Sequence, residues 1–106
     1  MNHKMEFFNP VVHEGLNITI RRGLKWDRIS KLGDTVSIVK TGSEDVLRTG
    51  TIVGLKLCQF SSISEDELAF EHDPECTNKE GALKAMERSY PGFKETEVVT
   101  VVSFWI

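Results

Sequence analysis

The chain has 106 residues, of which 40% are hydrophobic and 27% are charged. This balance is typical of one globular domain and excludes a long disordered segment. The longest apolar stretch, Val98 to Ile106, is too short to span a bilayer, and residues 1–9 lack the apolar core of a signal peptide. The sequence therefore predicts a cytoplasmic protein with no membrane association. Its net charge of −3 argues against tight non-specific binding to long nucleic acid.

Alternation of apolar and polar residues predicts three strands in the first half of the chain. A first strand is expected over Lys4–Phe8. The segment Asn17–Arg21 places isoleucines on one face and polar side chains on the other, which is the pattern of a half-buried strand. A short helix is expected over Leu24–Leu32. A further strand, Thr35–Lys40, follows a turn and precedes a polar hairpin loop.

The second half predicts two more strands and two helices. Val46–Phe60 reads as one long or bulged strand. Short helices are expected over Ser64–Phe70, which begins with a capping-box signature, and over Asn78–Ser89. Val98–Ile106 is rich in β-branched residues and should be a central strand covered on both faces. Five strands and two or three short helices indicate a mainly β or α+β class and a single domain over residues 1–106.

The first candidate site is a basic segment that begins on the strand Asn17–Arg21. Thr19 and Arg21 share the polar face of this strand. Five cations fall within eleven residues: Arg21, Arg22, Lys25, Arg28 and Lys31. Such a cluster is suited to contacts with a phosphate or a nucleobase edge. Its alternative interpretation is a solvated face whose charges discourage aggregation at a strand edge.

The second candidate site is the acidic segment Glu71–Cys76. His72 and Cys76 are spaced like two metal ligands on one helical turn. Because Pro74 interrupts a helix and four ligands are not evident, we expect neither a metal nor a cofactor. Two interpretations remain, an acid–base role for His72 and a plain helix connection in which Asp73 caps a turn that starts at Pro74.

The remaining reactive and aromatic side chains are expected to be structural. Cys58 and Cys76 do not form a disulfide framework and should be free thiols. Trp26, Trp105 and the six phenylalanines are expected mainly in the core. Tyr90 and Trp26 are the aromatic residues that could instead be exposed for stacking on a base.

Several segments together resemble an ASCH domain of the PUA-like superfamily. They are the strand Gly15-Leu16-Asn17-Ile18-Thr19-Ile20-Arg21, the turn Lys31-Leu32-Gly33-Asp34, the acidic segment Glu71-His72-Asp73-Pro74-Glu75, the helix end Tyr90-Pro91-Gly92-Phe93 and the strand Val98 to Phe104. The resemblance runs from about Gly15 to Phe104. It implies a small PUA-like β-barrel with a cleft, in a family of which many members are proposed to bind RNA.

One bacterial branch of this family has a similar length and hydrolyses acetylcytidine. The resemblance places its threonine at Thr19 and its glutamate at Glu75. The lysine of that branch would fall three residues before Thr19, where this chain has Leu16. A threonine hydroxyl is a weak nucleophile until a base removes its proton, and leucine cannot do so. The activity therefore does not carry over with the fold.

Three functional hypotheses follow. The first is a module that binds RNA or a modified nucleoside in the cleft through Arg21, Arg22, Lys25 and His72. The second is an amidohydrolase that acts on an acylated nucleoside, with Thr19 and Glu75 as catalytic residues. The third is a protein-interaction domain with no role in nucleic-acid binding, which an exposed apolar patch would support.

Overall fold

The computed structural model describes residues 1–106 and contains one mixed sheet with three α-helices on and around it. The strands are β1 (Asn2–Phe7), β2 (Leu16–Arg22), β3 (Thr35–Lys40), β4 (Val46–Gln59) and β5 (Val98–Trp105). The helices are α1 (Lys25–Ile29), α2 (Glu65–Leu68) and α3 (Lys79–Ser89), and 3₁₀ turns occupy Phe60–Ser62 and Pro74–Cys76. No helix is both long enough and apolar enough to cross a membrane.

The strands lie in the order β1-β3-β4-β5-β2. β1 and β3 run parallel, and the other neighbouring pairs are antiparallel. β5 is central, as the sequence predicts, because Val99 and Val101 pack into one core cluster while Val102 and Phe104 pack into another. The predicted α+β class with short helices is confirmed.

The two clusters lie on either side of the sheet. The larger cluster joins β2 and β5 to α2 and α3, with Phe60, Leu68 and Met86 among its buried members. The smaller joins β1, β3 and α1, with Met5 and Trp26 among its members. Burial of each such large apolar side chain contributes about 1.5–3 kcal/mol. The site described below therefore rests on elements that are packed from both sides.

β1 and β2 stand at opposite ends of the strand order, yet they approach one another. No ladder of backbone hydrogen bonds joins them. Instead, Arg21 of β2 donates from Nη1 to the carbonyl oxygen of Glu6 in β1 at 2.8 Å. The free edge of β2 is also bridged, since the amide of Ile18 donates to Phe70 at 2.8 Å and the carbonyl of Ile18 accepts from His72 at 3.1 Å. The sheet therefore does not close into the expected barrel through strand pairing, and side-chain contacts and one isolated bridge lie along the seam instead.

Local capping explains the turns that carry the acidic segment. The Ser64 capping box predicted for α2 is present. The Asp73 side chain accepts from the amide of Glu75 at 3.0 Å and so caps the turn that begins at Pro74. α3 then packs closely on this turn, because a Cβ at Gly81 would overlap the carbonyl oxygen of Glu75. Only glycine permits that approach.

The expectation that the tryptophans and phenylalanines fill the core is wrong for several of them. Trp26 is buried, but the Trp105 residue is 56% exposed and Phe8 is 67% exposed. Trp105 lies at the end of β5 and Phe8 just beyond β1, where the alternation of faces no longer points a side chain into either cluster.

Candidate functional site

A cleft of about 630 Å³ opens at the seam between β1 and β2. One wall comes from the ends of these strands, another from the acidic segment, and α3 supplies the rest. Its volume lies in the range of small-molecule sites. The polar and aromatic residues among its 19 lining residues include Phe7, Phe8, Thr19, Arg21, Glu71, His72, Asp73, Glu75 and Tyr90.

Four of the residues singled out from the sequence line this cleft, namely Thr19, Arg21, His72 and Glu75. Two others do not. Arg22 is not a lining residue, because its Nε donates to Glu97 at 2.7 Å, although its Cζ lies 6.0 Å from the ring centroid of Tyr90. Lys25 is exposed on α1. The expectation that Arg22 and Lys25 bind the ligand is therefore not supported by their positions. Successive residues of a strand face opposite sides, so Arg21 and Arg22 diverge.

Thr19 occupies the middle of β2 and is only 3% exposed. It is held in place on both sides, since it pairs with Val102 of β5 and follows Ile18, which is bridged to Glu71. Thr19 follows Ile18 in the chain, and His72 follows Glu71. Both of these following residues line the cleft. The bridge thus brings a hydroxyl and an imidazole to the same wall.

Arg21 is half-buried and lines the cleft from β2. Its guanidinium lies over the ring of Phe7, with 4.5 Å between Cζ and the ring centroid. Its Nε is buried without a hydrogen-bond partner. Burial lowers the pKa of Arg21 from its ordinary value, while the nearby Tyr90 and Glu71 act in the opposite direction. A donor in such surroundings gains from a ligand acceptor.

Glu71 and His72 form a carboxylate–imidazole pair that the sequence reasoning did not assign. Oε1 of Glu71 contacts Nδ1 of His72, and Glu71 is only 4% exposed. The imidazole packs edge-on against Phe7, with ring centroids 4.5 Å apart. A buried carboxylate on one ring nitrogen fixes the orientation of the other, which is how an orienting residue serves a general base.

Asp73 and Cys76 are structural members of the cleft wall. The Asp73 carboxylate accepts from the side-chain amide of Asn9 at 3.2 Å in addition to its capping bond. Burial, helped by the charges of Glu71 and Asp73, raises the pKa of the Cys76 thiol to about 12. This thiol is therefore unsuited to act as a nucleophile or to ligate a metal. No cluster of three or more histidine, cysteine or carboxylate side chains is arranged to hold a metal ion.

Glu75 lies at the mouth of the cleft and not in its depth. Its side chain is 75% exposed, and Oε2 is 3.8 Å from Nη2 of Arg88. A carboxylate in this position is suited to meeting a ligand at the entrance.

Leu16, where the resemblance noted in the sequence would place a lysine, faces away from the cleft. It lines a separate shallow groove with Ile18, Phe70 and Val101. Residues three apart in a strand point to opposite faces, which separates Leu16 from Thr19. The exposed ring of Trp105 pairs with Leu16 across the strands. Half of the residues that line the groove are polar or charged, namely Lys56, Asp66, Glu67 and Ser103, so the groove supplies only part of the apolar patch that the protein-interaction hypothesis requires.

Comparisons with known proteins match the fold described above. No protein-family model and no curated protein matches the chain. The ASCH domain from Lactobacillus crispatus JV V101 superposes with a TM-score of 0.66 and 11% identity, covering 98% of this chain and 78% of that one. The hypothetical protein PH0355 superposes with a TM-score of 0.65 and 15% identity, covering 99% and 98%.

The likeness defines the class of protein at the level of its architecture. The chain has the fold of an ASCH domain, and the resemblance noted in its sequence is confirmed to that extent. At these identities a shared fold does not carry an activity with it. The functional argument therefore depends on the side chains of the cleft.

Proposed function

We propose that the cleft binds a nucleoside-like ligand, meaning a planar base with polar edges. The observation that carries this proposal is the convergence of Thr19, Arg21 and His72 on one cleft of small-molecule size. These side chains offer a hydroxyl, a guanidinium and an imidazole, which between them can satisfy both donors and acceptors on a base edge. The first functional hypothesis is the one that this arrangement favours.

Aromatic side chains give the same cleft a surface for a flat ligand. Phe8 is exposed at the opening, and Tyr90 is half-buried at the end of α3. Stacking of a base on an aromatic ring is worth about 1–3 kcal/mol and does not depend on which base is present. We therefore expect stacking to supply affinity, while the polar groups of the cleft select the base.

The test is a calorimetric titration with a panel of nucleosides that includes acetylcytidine. Replacing Thr19 by valine removes one hydroxyl with little change of shape, and we expect it to weaken binding. The matched control is Thr51→Val, because Thr51 is an exposed strand residue outside the cleft. The proposal fails if no nucleoside binds, or if both variants bind as the wild type does.

A second candidate, hydrolysis of an acylated nucleoside, is favoured by a separate observation. Thr19 shares a wall with the oriented pair Glu71–His72. A hydroxyl, a base and a carboxylate that orients the base are the parts that nucleophilic catalysis needs. In this arrangement His72, not a lysine, would accept the proton of Thr19.

The second candidate is tested by chromatography of acetylcytidine incubated with the protein. Release of cytidine that is lost in both Thr19→Val and His72→Gln would support it. Release that persists in both variants would exclude this pair as the source. Binding without release leaves the first candidate standing alone.

A further inference from the structure

We infer that the cleft accepts its ligand only when the ligand carries no phosphate, so that a free nucleoside or base binds and a nucleotide or RNA strand is rejected. The inference rests on the proposed function of the cleft and narrows its ligand class. It is carried by the number, burial and pairing of the charged groups that line the cleft.

Acidic groups outnumber basic ones on the cleft walls. The lining residues contribute four carboxylates and only two guanidinium groups. The carboxylates belong to Glu6, Glu71, Asp73 and Glu75, and the guanidinium groups to Arg21 and Arg88. A site that takes a phosphate normally presents an excess of arginine, lysine or free backbone amides. This cleft presents the opposite balance.

Both guanidinium groups of the cleft already have partners. Arg88 lies 3.8 Å from the carboxylate of Glu75. Nη1 of Arg21 donates to the backbone carbonyl oxygen of Glu6. The carboxylates of Glu71 and Glu6 also offset the positive charge of Arg21. Arg21 keeps donors for a neutral acceptor such as a base carbonyl. The carboxylates of Glu75 beside Arg88, and of Glu71 and Glu6 near Arg21, reduce the net positive charge that a phosphate would meet.

The carboxylates deepest in the cleft are poorly screened. Glu71 and Asp73 are both buried. Interactions of buried charges are weakened by salt and water much less than those of exposed charges. A phosphate held close to them would be repelled, whereas an amino group of a base would find acceptors.

Basic residues outside the cleft do not correct this balance. Lys4 is held between carboxylates, with Nζ 3.2 Å from Glu44 and 3.9 Å from Glu6. Arg22 is bound to Glu97 at 2.7 Å, and Lys25 lies on α1 away from the lining residues. An RNA strand whose base entered the cleft would therefore bring phosphates to an acidic entrance at Glu75 and Glu6.

The experiment compares cytidine with cytidine 5′-monophosphate, and adenosine with adenosine 5′-monophosphate, by calorimetry at about 50 and 300 mM salt. We expect each monophosphate to bind at least about tenfold more weakly than its nucleoside. We also expect monophosphate binding to strengthen with salt, because salt screens the repulsion from the exposed carboxylates of Glu6 and Glu75 at the entrance. Phosphate binding to a basic site weakens with salt instead.

A charge variant tests the cause. Glu75→Gln removes one negative charge at the entrance and should narrow the ratio between nucleoside and monophosphate affinities. Glu87→Gln is the matched control, because Glu87 is exposed on α3 outside the cleft, and it should leave the ratio unchanged.

The outcomes distinguish a failure of the discrimination against phosphate from a failure of nucleoside binding itself. Monophosphates that bind as tightly as nucleosides, and more weakly at high salt, would overturn the inference while leaving nucleoside binding intact. Absence of binding by every nucleoside would overturn the proposed function and the inference with it. A single-stranded oligonucleotide that binds more tightly than the nucleosides would also overturn the inference.

Discussion

The guanidinium of Arg21 and the ring of Phe7 lie 4.5 Å apart, and this contact joins the two strands at opposite ends of the sheet order. The contact combines a cation with the face of an aromatic ring and removes both from water. Arg21 therefore has two roles, since it links β2 to β1 and lines the cleft that opens between them.

Replacing Arg21 by alanine should weaken nucleoside binding by about 1–3 kcal/mol, because a charge-assisted hydrogen bond to the ligand is lost. Arg21→Lys should lose nearly as much, since lysine keeps the charge but not the planar fork that stacks on a ring. Calorimetry measures both, with Arg28→Ala as a control on the exposed face of α1. Equal affinity in the wild type and Arg21→Ala would remove Arg21 from the site.

Acetylcytidine should be hydrolysed slowly or not at all by the wild type, because this chain has Leu16 where the resemblance noted in the sequence would place a catalytic lysine. General-base help contributes about 10²–10⁴-fold to a rate. Leu16→Lys should not restore that help, because residue 16 faces the groove on the other side of β2. Chromatography of released cytidine measures both proteins. A marked gain of activity in Leu16→Lys would mean that its amine reaches Thr19 after all.

The Asp34 carboxylate should stabilise the fold at neutral pH and lose this effect in acid. Its carboxylate binds Nε2 of His3 at 2.8 Å and the amide of Lys31 at 3.1 Å, and these bonds hold its pKa below the ordinary value. A carboxylate with a lowered pKa in the folded state stabilises the fold at neutral pH, and this stabilisation disappears as the pH falls through that pKa.

The thermal unfolding midpoint of Asp34→Asn should therefore lie below that of the wild type at pH 7, and the two should converge in acid. Asp45→Asn, at an exposed loop position, is the control and should follow the wild type throughout. A difference that stays constant from pH 7 into acid would show that the charge of Asp34 is not the cause.

Cys76 should resist alkylation in the folded protein. With a pKa of about 12, only about one thiol in ten thousand is ionised at pH 8, and the thiolate is the reactive form. Burial raises the pKa of Cys58 as well, but that residue is less buried and should react first. Iodoacetamide labelling followed by peptide mass spectrometry measures the two sites. Rapid native labelling of Cys76 would contradict the burial described here, and the denatured chain should label at both.

Sequence patterns gave most of the elements because their cause is local. Thr35–Lys40 is found with the predicted bounds, and the capping box at Ser64 is present, since both depend on neighbouring residues. The approach of β1 to β2 could not be predicted in this way. It depends on the contact of Arg21 with Glu6 and on the bridge between Ile18 and Glu71, which join distant parts of the chain.

The candidate site was predicted in part, for the same reason. Thr19 and Arg21 share a strand face, and that face proved to be the one lining the cleft. The alternation of faces along a strand also predicts that Arg22 lies on the opposite face from Arg21, and Leu16 on the opposite face from Thr19. The exposure of Phe8 could not be predicted, because composition does not tell which phenylalanine falls beyond the end of a buried strand.

The position of β5 between β4 and β2 sets an order for folding. β2 carries Thr19 and Arg21, yet its only full strand partner is β5, which lies at the other end of the sequence. Contacts between such distant segments form slowly, since a long loop must close first. During synthesis, β2 therefore has no strand partner until β5, Val98–Trp105, has been synthesised. Mutations that weaken the pairing of β5 should therefore delay formation of the cleft most. They should also leave β2 unpaired and exposed, which favours aggregation.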